Sequence, residues 1–396
     1  MALGFNNRAM HTLLVFSHLR WNFVYQRPQH LLTRLAGHWP VVYIEEPIPN
    51  SSSDYIEFID VADGVQVWRP HVRSAQHGMH GMNEGVMRRL VLTAMQTRKI
   101  GSYLAWFYTP MAMFMAEELE PECVIYDCMD ELSMFKGAPP ELLGQEVALF
   151  KRADVVFTGG RSLYQAKRTR HDNVHCFPSS VDAPHFSTPT ADHPLQAALP
   201  RPRIGYCGVI DERIDIDLIA GIAALRPQWQ IVMVGPTAKI DPESLPQMVN
   251  IHWMGQQSYQ VLPGFIQGWD VCLLPFALNE STRFISPTKT LEYLASGRPC
   301  VSTAIRDVVE GYHAVVEIRA DATGFIDACE SQMRREATQL LNDEKAVQAI
   351  LAGTSWDATA ASMVELISNV LKARARAARR QTPTVSAVAS ADMAAS

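Results

Sequence analysis

Around residue 286 the chain places residue types that together make an anion-binding start to a helix. Ser286-Pro287-Thr288-Lys289 follows the polar loop Asn279-Glu280-Ser281-Thr282-Arg283 and precedes Thr290-Leu291-Glu292-Tyr293-Leu294-Ala295-Ser296-Gly297. Ser286 is a good N-cap and Pro287 is favoured at the first helical position, so a helix is expected to begin here. Leu291 and Leu294 would form its buried stripe, and Gly297 would end it. The free N–H groups of such a helix attract anions, and Thr288 and Lys289 add a hydroxyl and a positive charge in the first turn. A diphosphate fits that combination, and Lys289 is the residue suited to stabilise charge growing on a departing phosphate. Glu292, three residues on, could accept both hydroxyls of a ribose. Lys289 and Glu292 could equally form an i, i+3 surface ion pair.

These residues need elements to hold them, and the chain is long enough to supply two domains. It has 396 residues, 47% of them hydrophobic and 19% charged, which is more than one hydrophobic core usually supports. Candidate strands in the first half are His11 to Ser17, Val41 to Glu45, Val65 to Arg69, Tyr103 to Tyr108, Cys123 to Asp127 and Asp154 to Thr158, with helical stretches between several of them. In the second half they are Arg203 to Gly208, Gln230 to Gly235, Asn250 to Met254, Asp270 to Phe276 and Pro299 to Ser302. Strands joined by crossover helices require parallel sheets covered on both faces, so the expected fold is α/β with two Rossmann-like doubly wound domains facing a cleft. The expected division is 1–190 and 200–355, with Pro184, Pro189, Pro194, Pro200 and Pro202 marking a linker between them. Ser355 would cap a helix over 356–372, and the Arg/Ala and Ser/Ala-rich stretch 373–396 reads as a disordered tail.

Bulk properties narrow the function classes. A net charge of −6 leaves no positive field for nucleic acid. The seven cysteines are scattered without zinc or redox spacing and read as reduced, buried thiols. The start lacks a signal-peptide pattern, and no apolar run approaches the roughly 20 residues that span a bilayer. The expected location is cytoplasmic; the basic stretch Lys372 to Arg380 reads first as a solvated charge run ending a helix, with peripheral contact at the inner face of a membrane as the alternative.

The segment from 284 to 301 resembles the donor-binding helix of GT-B (two-Rossmann) glycosyltransferases, including the family 4 and family 1-like enzymes of teichuronic acid and exopolysaccharide assembly. Their common form has a Glu, seven residues, a second Glu, then a small residue, Gly, x, Pro and an apolar strand. Glu292 matches the second Glu and Ser296-Gly297-Arg298-Pro299-Cys300-Val301 the remainder, whereas Phe284 stands where the first Glu would be. That first Glu is linked to retaining enzymes, so the resemblance implies donor binding without implying a stereochemical outcome. It also implies that Gly208 lets the backbone approach the phosphates and that Arg213 contacts them. Asp215-Ile216-Asp217 imitates the metal triplet of another glycosyltransferase architecture, but acids at a helix start complement its dipole, and no essential metal or cofactor is expected.

On the first-half side, the family's glycine-containing loop is replaced by Arg27, Gln29 and His30, which could bind an anionic acceptor, a lipid pyrophosphate or a carboxylated sugar, or simply cap the helix. Tyr126-Asp127-Cys128-Met129-Asp130-Glu131 ends a buried strand, where open sheets place ligand contacts. Asp130 is the first candidate and Asp127 the second for accepting the acceptor hydroxyl's proton, with capping of the next helix as the alternative for Asp130. The expected activity is transfer of a sugar from a nucleoside diphosphate sugar to a glycan or lipid-linked acceptor in cell-surface polysaccharide biosynthesis. The alternatives are a nucleotide-sugar epimerase of the same shape and a degenerate, non-catalytic partner in an assembly complex.

Overall fold

The computed structural model describes residues 11–381. The first sheet contains β1 (Thr12–Ser17), β2 (Val41–Glu45), β3 (Tyr55–Ala62), β4 (Val65–His71), β5 (Tyr103–Phe107), β6 (Val124–Cys128), β7 (Val155–Thr158) and β8 (Val174–Cys176), in the order β3-β4-β2-β1-β5-β6-β7-β8. Leu13 and Val15 of β1 face a core with Leu31, Leu32 and Leu35 of the helix Arg27–Leu35. Leu14 and Phe16 face the opposite core with Met87 and Val91 of the helix Met82–Thr97. Burial on both faces is why these strands read as unbroken apolar runs.

β3 corrects the expectation of a wholly parallel first sheet. It pairs antiparallel with β4 across a turn at Asp63-Gly64, and its residues alternate between exposed and half-buried. A strand solvated on one face carries polar residues such as Glu57 and Asp60 among its apolar ones, so it lacks the continuous signature of its neighbours.

The second sheet contains β9 (Arg203–Cys207), β10 (Gln230–Val234), β11 (Ile251–Trp253), β12 (Val271–Leu274), β13 (Cys300–Ser302) and β14 (Val316–Ile318), parallel throughout in the order β11-β10-β9-β12-β13-β14. In the second sheet the chain runs outward from the central β9 to β11 and then returns to β12 on the other side of β9, and in the first sheet it runs outward from β1 and returns from β4 to β5 on the other side of β1. Crevices beyond the carboxyl ends of strands open at such switch points. The two sheets point these ends at each other.

The proline-rich stretch between the sheets lies against the second one. Phe186 belongs to that sheet's core. The buried Gln196 donates to the carbonyls of Gly264 (3.2 Å) and Phe265 (2.9 Å) and accepts from the indole N–H of Trp269 at 2.9 Å. The helix Trp356–Gln381 returns to the first sheet, where Trp356, Met363 and Ile367 are buried. Trp356 stacks on His30 with ring centroids 4.8 Å apart. The expected end of order at Lys372 is corrected in part, because the helix runs on to Gln381 and residues 382–396 lie outside the described residues. Alanine and arginine are strong helix formers, and Arg374 anchors the extension by donating to Asp154 (2.6 Å) and to the carbonyls of Pro121 and Glu122. Six of the seven cysteines are buried, and all are free.

The returning helix is held by a large aromatic side chain in a closed core, so Trp356→Ala is expected to cost about 3–5 kcal/mol. Urea unfolding should show this as a lower midpoint. An unchanged midpoint would mean that the helix docks without contributing to stability.

Candidate active site

The helix Thr288–Ala295 begins at the carboxyl end of the second sheet, with Pro287 in extended conformation as its N-cap and no side chain capping it. This shifts the expected start by one residue: Pro287 is the cap rather than the first helical residue, and Ser286 does not cap. Instead the Ser286 carbonyl accepts from the hydroxyl of Ser179 (2.9 Å), and the Thr288 hydroxyl donates to the same Ser179 oxygen (2.9 Å). Ser179 lies just beyond β8, so a first-half segment braces the helix start.

Lys289 Nζ lies 2.6 Å from Glu292 Oε2, and both residues line a cavity between the halves together with Ser286 and Thr288. The pair expected at this spacing exists, but as a cavity contact: Glu292 is only 2% exposed. Burial alone would lower the Lys289 pKa, but the charge of Glu292 and its hydrogen bond outweigh that, and the ammonium is held above the ordinary lysine range. Lys289 therefore carries a full positive charge at the start of a helix.

The opposite wall of this cavity is made by two glycines. Gly208 follows β9 and Gly235 follows β10, and the N–H of Gly208 donates to the Val234 carbonyl at 2.9 Å. A Cβ on Gly235 would overlap the carbonyl of Gly208, and a Cβ on Gly208 would overlap the Tyr206 hydroxyl. Bare backbone thus faces the cavity at both strand ends. Arg213 also lines it, with its guanidinium bidentate to Asp211: Nε is 3.0 and 3.1 Å from the carboxylate oxygens and Nη2 is 2.6 Å from one of them. Burial opposes its charge, but Asp211 outweighs burial and raises the Arg213 pKa further. Asp215 caps the helix Ile216–Leu225 through the Leu218 N–H (2.8 Å). Among the described residues no group of three or more His, Cys, Asp or Glu side chains is placed to hold a metal ion.

The first-half candidates separate into those that face the cleft and those that build its wall. Arg27 is buried and forks onto Asp127, with Nε to Oδ2 at 3.1 Å and Nη2 to Oδ1 at 2.9 Å, while Nη1 donates to the Phe177 carbonyl at 2.7 Å. Arg27 still touches the first cavity, whereas Asp127 is wholly buried against its partner and is spent on the pair. Gln29 turns away, donating to the carbonyls of Trp21 (2.6 Å) and Val24 (3.0 Å) and accepting from the Gln26 N–H. It closes the loop before the helix, the capping role left open by the sequence. His30 is stacked on Trp356 and meets the rings of Tyr25 and Tyr259 edge-on, and burial with the charges of Arg34, Lys289 and His185 lowers its pKa to about 3. It is a neutral packing ring.

Asp130 is half-buried and lines both the first cavity and a wider second one of about 660 Å³. Burial raises its pKa to about 6, against the lowering charges of Arg213 and Arg27. A carboxylate that ionises just below neutrality at the junction of two cavities is suited to accept a proton. Sequence reasoning missed Gly235, Asp211 and Ser179. Gly235 ends an apolar strand before a proline, a signal equal to that of Gly208. Asp211 and Ser179 carry none until the chain is folded.

The two glycines make a sharp test. Gly235→Ala forces the Gly208 strand end to move, so if this cavity takes the nucleoside diphosphate expected from the sequence, its affinity should drop by about tenfold or more, while the far-ultraviolet circular dichroism stays native. Titration with UDP measures this, and wild-type affinity in the variant would remove the backbone approach from the site.

Residues 201–335 match the glycosyl transferases group 1 family. The putative teichuronic acid biosynthesis glycosyltransferase TuaH of Bacillus subtilis (strain 168) is 23% identical over 57% of this chain, and the match spans 62% of that relative's length. Sucrose-phosphate synthase (tll1590) from Thermosynechococcus elongatus superposes with a TM-score of 0.68 at 17% identity, covering 92% of this chain and 100% of that one. Anabaena Alr3699/HepE in complex with UDP superposes with a TM-score of 0.63 at 13% identity, covering 91% and 100%, and its complex with UDP and glucose with 0.64 at 14%, covering 90% and 99%. The chain thus has the two-sheet GT-B architecture, and within its second half residues 201–335 are similar to the glycosyl transferases group 1 family.

Proposed function

We propose that the chain is a glycosyltransferase that moves a sugar from a nucleoside diphosphate sugar to a glycan or lipid-linked acceptor in cell-surface polysaccharide assembly. The observation that carries this reading is the Lys289–Glu292 pair, which opens into a cavity whose facing wall is the bare backbone of Gly208 and Gly235. A donor diphosphate fits between the helix start and that backbone, with Lys289 and Arg213 balancing its charge. On this reading Lys289 exchanges its bond to Glu292 for one to phosphate, and Glu292 is released to accept ribose hydroxyls. Negative charge grows on the leaving phosphate as the glycosidic bond breaks, and Lys289 is most valuable at that moment. No metal is assigned a role, because Lys289, Arg213 and the helix N–H groups supply the positive field.

Asp130 is proposed as the base that takes the acceptor hydroxyl's proton, from its place where the two cavities meet. The wide second cavity favours transfer over an epimerase reaction, which needs no acceptor. Bound UDP in the Anabaena structures and the teichuronic acid pathway named for TuaH support the donor class and the setting. No helix among the described residues is long and apolar enough to cross a membrane, so a lipid-linked acceptor would be met at the surface.

Melting curves with UDP-, GDP- and other nucleotide sugars test the donor site. At least one should raise the wild-type melting temperature, and Lys289→Met should lose that shift. Equal shifts in both proteins would overturn the diphosphate assignment. The pH profile tests Asp130 separately. Only the carboxylate accepts a proton, so with a pKa of about 6 the rate should be full near neutrality and fall about tenfold per unit once pH drops below 6. Asp130→Asn should lower kcat by about 10²–10⁴ and abolish that acid limb. A limb that survives the substitution belongs to another group.

A further inference from the structure

The second cavity has a cation that the site described above does not use. Lys239 lies in the loop after β10, exposed at the cavity's edge, and forms no ion pair among the described residues. Its ammonium lies 5.5 Å from the centroid of Phe135, a first-half ring that also carries the Arg213 guanidinium at 5.4 Å. Arg213 is neutralised by Asp211, whereas Lys239 is not. The Lys239 backbone adopts φ +59°, a left-handed conformation uncommon outside glycine, directly after a residue whose N–H is tied to the Ile210 carbonyl at 3.0 Å. The loop backbone is therefore fixed where this side chain leaves it, at the cavity's rim.

Inside the same cavity the groups suit neutral sugar hydroxyls. His18 Nδ1 is buried without a hydrogen-bond partner. Burial and the Lys239 charge lower its pKa to about 4, so the ring is neutral at physiological pH and can accept a hydroxyl hydrogen. Burial raises Glu46 to about 7 even with Arg20 and Lys239 nearby, which leaves it only partly ionised and a weak counter-charge for Lys239. A cavity with hydroxyl-binding groups within and an uncompensated cation at its rim selects for a ligand of matching layout.

We propose that the second cavity takes an acceptor carrying an anionic group, phosphate or carboxylate, whose charge is met by Lys239 while its sugar hydroxyls reach His18 and Asp130. This rests on the transferase reading and adds the acceptor's chemical class to it. It also replaces Arg27, Gln29 and His30 as the source of anion selectivity, since those side chains are occupied within the wall. Lys239 comes from the second half and His18 from the first, so an anionic acceptor would bridge the cleft and favour its closure.

Calorimetric titration of the full chain with glucose, glucose 6-phosphate, glucuronate and inorganic phosphate tests this. Wild type should bind one of the two anionic sugars roughly tenfold more tightly than glucose, as expected for one charge-assisted hydrogen bond. The better of the two identifies phosphate or carboxylate as the group. Lys239→Gln should reduce the preference to within about threefold without changing glucose binding, and Lys239→Arg should restore it. The proposal is overturned if glucose and both anionic sugars bind alike, if inorganic phosphate binds as tightly as the sugar phosphate, or if Lys239→Gln keeps the preference. A UDP melting shift recorded on the same samples separates the two readings. Loss of acceptor selectivity with an intact UDP shift sinks only the acceptor class, whereas a missing UDP shift sinks the donor site.

Discussion

The first-half wall of the cleft depends on one buried ion pair. Arg27 and Asp127 are 4% and 0% exposed at their side chains, and removing two such charges from water costs several kcal/mol each. Only a geometry as complete as the observed fork, with the Phe177 carbonyl taking a further guanidinium proton, offsets that cost. The pair ties three segments together: the start of the helix after β1, the end of β6 and the strand exit after β8. Asp130 is three residues beyond Asp127, and Ser179 is two beyond Phe177. Fixing the fork therefore places both the proposed base and the hydroxyl that braces the helix start at Thr288.

A second set of contacts holds the halves at their working separation. Asp307, from the second half, accepts the N–H groups of Arg161 (2.9 Å) and Ser162 (3.0 Å) and so caps a first-half helix, Arg161–Lys167. Gly160 has no room for a side chain there, because a Cβ would meet Ser286 and Asp307. Tyr25 stacks on Tyr259 at 4.6 Å, and Tyr259 on His185 at 4.3 Å, around the same junction. Phe284 packs against the first-half core, although it belongs to the second-half loop. The residue that departs from the family's donor segment thus serves as an apolar contact between halves, while the following Ser286, Thr288 and Lys289 keep the anion-binding character.

Much of the scaffold was legible because parallel strands buried on two faces leave continuous apolar runs, and the observed strands of that kind lie within a residue or two of their expected limits. β3 escaped although Asp63-Gly64 is a strong hairpin turn signal, since Tyr55–Ala62 mixes polar with apolar residues and lacks the continuous run of a strand buried on both faces. The short strands β8 (Val-His-Cys) and β14 (Val-Glu-Ile) are largely half-buried and interrupted by a polar residue, so they leave no apolar run. In the site, local chemistry was legible and tertiary pairing was not. Lys289 with Glu292 is a spacing that a helix dictates. Arg27 with Asp127 is a pairing across 100 residues that only the order of β1, β5 and β6 brings about. For the same reason Arg27 and Asp127 read as free functional groups when each in fact neutralises the other.

This distinction organises the charges of the cleft. Arg27 is held by Asp127, Arg213 by Asp211 and Lys289 by Glu292, all at hydrogen-bonding distances. The first pair is almost wholly buried in the wall and stays closed. Lys289, Glu292 and Arg213 line the first cavity and Asp211 the second, so on the proposed reading a diphosphate competes for the cations, and the carboxylates it displaces gain hydroxyls as partners instead of being left bare. Pre-paired cations keep the unliganded cleft from carrying uncompensated buried charge. They also make binding an exchange, which favours a ligand that brings both anionic oxygens and hydroxyl donors over a simple anion. A nucleoside diphosphate offers both, and inorganic phosphate or sulfate offers only the first. In the proposed donor cavity, selectivity would follow from the carboxylates as much as from the cations they hold.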